Sequence, residues 1–361
     1  MSNKPLYKKI IDDLVKDIKN GVYKENDQLP TELELSEKYQ VSRITSKRAL
    51  TELEALGMIS RTRGKGSFVK KQELSKPVKQ YPKNILLIYP FLSGENTGLG
   101  EYTQGILEEI QTKDFQLLVQ TEQFLNDTPI EELIANYAGV IYYPQLHLVN
   151  LDVLYQLHLN DIPIVILDKF FHGLPFSTVS ADNLAGGELA TAHLIEEGHE
   201  KIAFGSLFGE IDISSVRDRY LGYLNALHSG ELTNSYHFMQ KEHQTKEAYL
   251  EETIQKISDE GISAIILEND VLAIQLINHL NQNKIEIPQK IAVVGFDNIQ
   301  ASTLIQPSLT TIEQDFVEIG RKACQLVLQQ LENGETLSEH QTSAVKLIIR
   351  NSSCTHSKER K

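Results

Sequence analysis

The chain is poor in cysteine, lacks any long apolar run and has no phosphate loop of the usual composition. Each absence removes a class of protein. Its two cysteines, Cys324 and Cys354, lie thirty residues apart. That spacing gives neither a disulfide framework nor a metal-ligand pattern, so no metal is expected. No stretch approaches the roughly eighteen consecutive apolar residues of a membrane span. The opening MSNKPLYKKIIDDL has no apolar signal core, so a cytoplasmic location with no membrane partner is expected. Gly94-x-x-x-Gly98-x-Gly100 is a glycine-rich loop after a predicted strand, and it lacks the Lys-Ser/Thr of a P-loop. With no paired nucleophile and base either, no enzyme, no catalytic residue and no cofactor is expected.

What is present is divided unevenly. The 361 residues carry a net charge of -14, yet residues 1–76 hold 16 Lys and Arg against 11 Asp and Glu, whereas the remainder holds 19 against 38. Between 41 and 71 the balance is 8 to 2. A local basic footprint on an acidic chain points to a small nucleic-acid reader attached to a large domain that does not touch DNA.

The basic stretch has internal order. In Leu29 to Val69, Thr31 and Glu34 form a capping box that starts a helix. Gln40-Val41 breaks that helix, and Ser42 is placed to cap another whose Ala49, Leu50, Leu53 and Leu56 share one face. The opposite face carries Ile44, Lys47, Arg48 and Thr51, with Arg43 in the first turn. A short basic helix behind a helix and a tight turn is what the major groove admits. Met58–Arg61 and Ser67–Val69 read as two strands, and the turn between them carries Arg63 and Lys65 toward phosphates or the minor groove. Ahead of this unit, Leu6, Ile10, Leu14 and Ile18 form an apolar helical stripe.

Leu29-Pro30-Thr31-Glu32-x-x-Leu35, Val41-Ser42-Arg43-x-Thr45-x-x-Arg48-Ala49-Leu50 and Gly64-x-Gly66-Ser67-Phe68-Val69 together resemble the winged helix-turn-helix of the GntR family of bacterial regulators. The resemblance implies DNA contacts from Ser42, Arg43, Ile44, Thr45, Lys47 and Arg48 on the helix. It implies others from Arg63, Gly64, Lys65 and Gly66 in the wing, with Tyr7 and Glu32 in support.

Residues 70–83, with two prolines and five lysines, read as a linker. The boundaries expected are a DNA-binding domain at 1–71, a linker at 72–83 and a large domain at 84–361. In the large domain apolar runs at 85–88, 115–119, 139–143, 164–167, 201–204, 264–267 and 291–294 alternate with helical patterns. These helices fall near 100–112, 129–136, 150–160, 183–197, 214–229, 246–257, 270–282 and 315–332. Strands apolar on both faces, separated by helices, define a parallel, doubly wound α/β sheet. Ligands bind such sheets beyond the carboxyl ends of the strands. Polar residues recur there: Asp168-Lys169, Asn269-Asp270, Asp297-Asn298, Gln314, and the helix-opening Arg217 and Arg219.

Ile162-Pro163-Ile164-Val165-Ile166-Leu167-Asp168, Asp182-Asn183-x-x-Gly186-Gly187, Arg219-x-x-Gly222-Tyr223 and Val293-Val294-Gly295-Phe296-Asp297 are similar to LacI-type effector domains and their periplasmic sugar-binding relatives. This resemblance implies two α/β subdomains joined by three crossovers, a ligand in the cleft between them, and a homodimer. The expected effector site is Asp168, Lys169, Arg217, Asn269, Asp297 and Gln314. Phe91, Tyr102, Tyr142 and Phe170 are the candidates to cover the ligand's apolar face, Tyr102 foremost. The expected function is a dimeric repressor of sugar-uptake or catabolism genes, released from operator DNA by a small neutral sugar. The alternatives are a corepressor, a sugar phosphate or a partner protein acting on the same architecture.

Overall fold

The computed structural model describes residues 6–19, 22–24, 26–55, 58–62, 65–70, 82–90, 98–144, 150–207, 209–334 and 336–354. The chain separates into two compact units, 1–80 and 81–361. Most of the expected linker, like Arg63, Gly64 and Phe91, lies outside the described residues.

The first unit is built from α1 (Leu6–Lys19), α2 (Glu32–Tyr39), α3 (Arg43–Ala55) and the antiparallel pair β1 (Ile59–Thr62) and β2 (Gly66–Val69). Its core is Ile10, Leu14, Leu35, Ala49, Leu50, Leu53 and Ile59, all buried. Each such large side chain contributes about 1.5–3 kcal/mol on burial, which a unit this small needs. Leu6, expected on the same stripe, is instead 57% exposed at the start of α1, while its neighbour Tyr7 packs against the core. The capping box is present, with Thr31 N donating to Glu34 Oε2 at 2.7 Å and Glu34 N to Thr31 Oγ1 at 3.3 Å. Gln40 ends α2 in the left-handed region at φ 51°. Ser42 Oγ then accepts from Thr45 N at 3.2 Å and so opens α3.

The second unit contains two six-stranded sheets. One is made of β3 (Asn84–Ile88), β4 (Gln116–Gln120), β5 (Tyr137–Tyr142), β6 (Ile164–Leu167), β7 (Ser177–Ala181) and β13 (His340–Ser343), in the order β13-β7-β6-β5-β3-β4, with every pair parallel. Its connections are α4 (Leu99–Ile110), α5 (Glu122–Asp127), α6 (Ile130–Asn136) and α7 (Leu151–Leu159). The other sheet holds β8 (Ile202–Ser206), β9 (Tyr236–Met239), β10 (Ala264–Leu267), β11 (Ala292–Asp297), β12 (Thr310–Gln314) and β14 (Val345–Ile348). Its order is β14-β12-β11-β10-β8-β9, antiparallel only at β12–β14. With it go α8 (Asn183–Glu196), α9 (Ser214–Ser229), α10 (Lys246–Glu260), α11 (Asp270–Gln282) and α12 (Ala301–Leu304), while α13 (Phe316–Asn333) returns to pack on β5, β6 and β7.

The chain therefore passes between the sheets three times, after β7, after β12 and between β13 and β14. Strands β7 and β13 carry no apolar run, which is why periodicity does not reveal them. Their hydroxyls are paired instead: Ser177 Oγ donates to Leu337 O at 2.8 Å, and Thr178 Oγ1 meets His340 Nδ1 at 2.5 Å.

Glycine sets the spacing of α8 and α9. A Cβ on Gly187 would stand 2.0 Å from Arg219 O, and one on Gly222 would stand 2.1 Å from Leu184 O. Only bare backbone permits that approach. It places Arg219 of α9 against Asn183 at the start of α8, Nε to Oδ1 at 2.9 Å.

Candidate functional site

The outer face of α3 presents an aliphatic residue among cations. Ile44 is 80% exposed, and Arg43, Lys47 and Arg48 are exposed beside it. Arg48 is held in place: its guanidinium lies 4.1 Å over the Tyr7 ring, and its Nε is 3.2 Å from Glu52 Oε1. Tyr7 thus positions a cation. Glu32 does similar work between elements, with Oε1 2.5 Å from Arg61 Nη2 of β1 and Oε2 3.6 Å from Arg43 Nε. Ser42 and Thr45 bond each other at 2.8 Å, which occupies them as the helix cap. Lys65 is exposed, and Gly66, at φ 117°, turns the chain into β2.

With Ile44 so exposed, its replacement by Ala removes nothing from the core. Stability should stay within about 0.5 kcal/mol of the parent. The expected loss is contact with a thymine methyl in the major groove. Replacing single operator thymines by uracil should weaken the parent protein at one position and leave Ile44→Ala indifferent there. A parent protein insensitive to every uracil would remove this contact.

In the second unit the strand ends converge on a buried polar cluster. Asp168 follows β6 at φ 67° and Asp297 ends β11 at φ 116°, both in the left-handed region. Such backbone strain gathers where side chains must be aimed. Lys169 Nζ is 2.9 Å from Asp168 Oδ2 and 4.3 Å over the Tyr143 ring. From the other sheet, Gln314 Nε2 donates to Asp297 Oδ1 at 2.5 Å. Arg219 Nη1 is 3.7 Å from that same oxygen and donates to Glu268 O at 2.5 Å, with its guanidinium 3.7 Å over Phe296. Two bonds tie the halves together: Ser215 Oγ to Asp168 Oδ2 at 3.4 Å and Phe170 N to Ser214 Oγ at 2.7 Å. Gln314 Oε1 is buried without a hydrogen-bond partner, an acceptor left for something else. A cavity of about 820 Å³ reaches Asp297 and Gln314 beside Gly98 and Phe316.

The structure therefore brings together Asp168, Lys169, Asp297 and Gln314, and parts from expectation elsewhere. Arg217 is exposed and turned to Asp218 at 3.2 Å; Arg219, two residues on, takes the inward place. A helix advances 100° per residue, so two positions reverse a side chain. Asn269 caps α11, accepting from Leu272 N at 2.8 Å. Tyr142 points to the opposite face of its sheet, with its hydroxyl 2.5 Å from Glu122 Oε1, so the neighbouring Tyr143 is the ring beneath Lys169. Tyr102 is fully buried behind it, with ring centroids 5.9 Å apart. Phe170 is 41% exposed and packs on His340. Asn183 and Tyr143 escaped sequence reasoning. Asn183 was visible only as the start of a helix and as part of the Asp182-Asn183-x-x-Gly186-Gly187 phrase, with no site role attached.

The two carboxylates differ. Burial alone would raise Asp168, but Lys169 and Arg219 outweigh it and hold the group below its usual range. Burial wins at Asp297 and pushes its pKa up to about 6, against Arg219 and Gln314. A raised value means that the protonated form suits the fold. Asp297's contribution to stability is present below the usual carboxylate range and is lost as pH rises through about 6. A hydroxylic ligand that donates to this carboxylate needs it ionised. Its affinity should rise across the same window and level off above it, as calorimetry one unit either side of that value would show. Affinity flat across the window would remove Asp297 from the ligand's donors.

Residues 6–69 match the family described as bacterial regulatory proteins, gntR family, and residues 191–353 match a periplasmic binding protein-like domain. The chain is thus a transcription regulator in which a GntR-type winged helix-turn-helix is joined to a LacI-like, periplasmic-binding-protein-like domain. It is 29% identical over 342 residues, 91% of this chain and 92% of the relative, to the arabinose metabolism transcriptional repressor of Geobacillus stearothermophilus. Among solved structures it is similar to a periplasmic binding protein/LacI transcriptional regulator from Alkaliphilus metalliredigens QYMF complexed with D-xylulofuranose. There the TM-score is 0.60 and identity 28%, covering 76% of this chain and all of that one. A LacI family transcriptional regulator from Enterococcus faecium with bound ribose shares the fold, with TM-score 0.64 and 23% identity over 76% of this chain and all of the other. Among the described residues no helix is long and apolar enough to cross a membrane.

Proposed function

We propose that the protein is a cytoplasmic, homodimeric repressor that binds a two-fold operator and is released by a small neutral sugar of pentose size. Its DNA contacts are Ser42, Arg43, Ile44, Thr45, Lys47 and Arg48 with the wing residues Arg63 to Gly66. Its sugar contacts are Asp168, Lys169, Arg219, Asp297 and Gln314. The observation that carries the reading is the charge balance of the buried cluster. Lys169 and Arg219 face Asp168 and Asp297, so carboxylates accept, cations donate and the Gln314 amide does both, as sugar hydroxyls require. No surplus cation is left for a phosphate. Lys201, an alternative source, is exposed and donates to Glu260 O at 2.7 Å. The names of the Geobacillus repressor and of the D-xylulofuranose complex support a pentose.

A ligand shifts such a regulator only by binding one state of the domain better than the other. The test is release of the full-length chain from a selected operator, followed by fluorescence anisotropy against L-arabinose, other pentoses, hexoses and pentose phosphates. Release by a neutral pentose is the expected result. Release by phosphorylated sugars alone, or tighter binding with sugar, would overturn the reading.

A further inference from the structure

The fold gives Cys354 two companions that the sequence does not. A ring nitrogen of His193, a carboxylate oxygen of Glu197 and Cys354 Sγ lie within 4.8 Å of one another. From this geometry we infer that they form a binding site for a divalent zinc-class metal ion, separate from the effector cluster.

The donor set suits such an ion. Imidazole, carboxylate and thiolate together are the mixed N, O, S ligation that zinc accepts in a tetrahedron, with water in the fourth position. One neutral ring and two anions match a double positive charge. Binding replaces the thiol proton, so each ion bound releases one proton from Cys354 to solvent.

The site is also built before the metal arrives. His193 and Glu197 are four residues apart at the end of α8 and therefore share a face. The segment that carries Cys354 is fastened to the sheet. Val293 N donates to Ser352 O at 2.8 Å, Ser352 Oγ to Val293 O at 2.6 Å, and Thr310 N to Ser352 Oγ at 2.8 Å. Ser353 Oγ bonds both Thr310 Oγ1, at 2.7 Å, and His193 Nε2, at 2.8 Å. That last bond fixes the plane of the imidazole, as outer partners of metal-bound histidines do. His193 is buried, Cys354 half-buried and Glu197 exposed, so the ion has a protein floor and an open approach. The ion would clamp to α8 the same segment whose Arg350 donates to Asn298 Oδ1 at 2.5 Å, beside Asp297.

The probe is cobalt(II), added to metal-free, full-length protein in place of zinc. A thiolate-to-cobalt charge-transfer band should saturate at one equivalent and be displaced by zinc. It should vanish in Cys354→Ser and persist in Cys324→Ser. The surface change Glu197→Gln, which spares the core, should weaken cobalt at least tenfold. No band at saturating cobalt, a band that survives Cys354→Ser, or unchanged affinity in Glu197→Gln would each overturn the site.

Discussion

Asp297→Ala should yield a protein that holds its operator at the parent affinity and no longer lets go when sugar is added. Truncating one partner of a buried, charge-assisted contact costs about 2–5 kcal/mol. At 1.4 kcal/mol per decade that is roughly thirty-fold to several-thousand-fold in effector affinity. Because Asp297 sits at φ 116°, alanine adds backbone strain to the lost carboxylate. Asp297→Asn separates the two. Asparagine tolerates this backbone, fills the same volume and removes a charge that burial already disfavours. Its stability should fall by less than about 1 kcal/mol, while calorimetry with sugar shows the full loss. An Asn variant that bound sugar normally would place the ligand away from Asp297.

The second large effect separates two arginines. Arg219→Ala removes an arginine that is 5% exposed, takes the donor from Asn183 Oδ1 and Glu268 O, and leaves Asp297 without its cation. Breaking such a buried pair costs about 3–5 kcal/mol, read as a lowered unfolding midpoint of the large unit together with loss of the sugar response. Arg217→Ala, two residues away and exposed, should change stability by less than about 0.5 kcal/mol. It should also leave the sugar response intact. If Arg217→Ala were the silent repressor and Arg219→Ala the normal one, the inward assignment would be reversed.

These two arginines also show how far the sequence reaches. Strand ends declare themselves wherever the strand is apolar, so Asp168, Lys169 and Asp297 are legible from Ile164–Leu167 and Ala292–Phe296 alone. Facing is harder. The difference between Arg217 and Arg219, or between Tyr142 and Tyr143, is one of phase, fixed by how α9 and β5 pack. Phase depends on close approaches such as Gly187 on Arg219 O. Asn269 shows the other ambiguity, since a polar residue after a strand serves equally as a helix cap, and here its Oδ1 does so. Strands β7 and β13 stay hidden because hydroxyl residues interrupt the apolar pattern, with Ser177 and Thr178 satisfied by partners some 160 residues away. No local pattern encodes that.

Gln314 is the last residue of β12, and the second passage between the sheets begins immediately after it. Three separate backbone passages join the two sheets, so one half can twist or slide on the other only if all three deform together. On the proposed reading, a ligand fastened at Gln314 acts at the very start of one of these passages. The proposed ligand contact and the passage between the sheets are then consecutive residues of one piece of chain, with no intervening side chains between them.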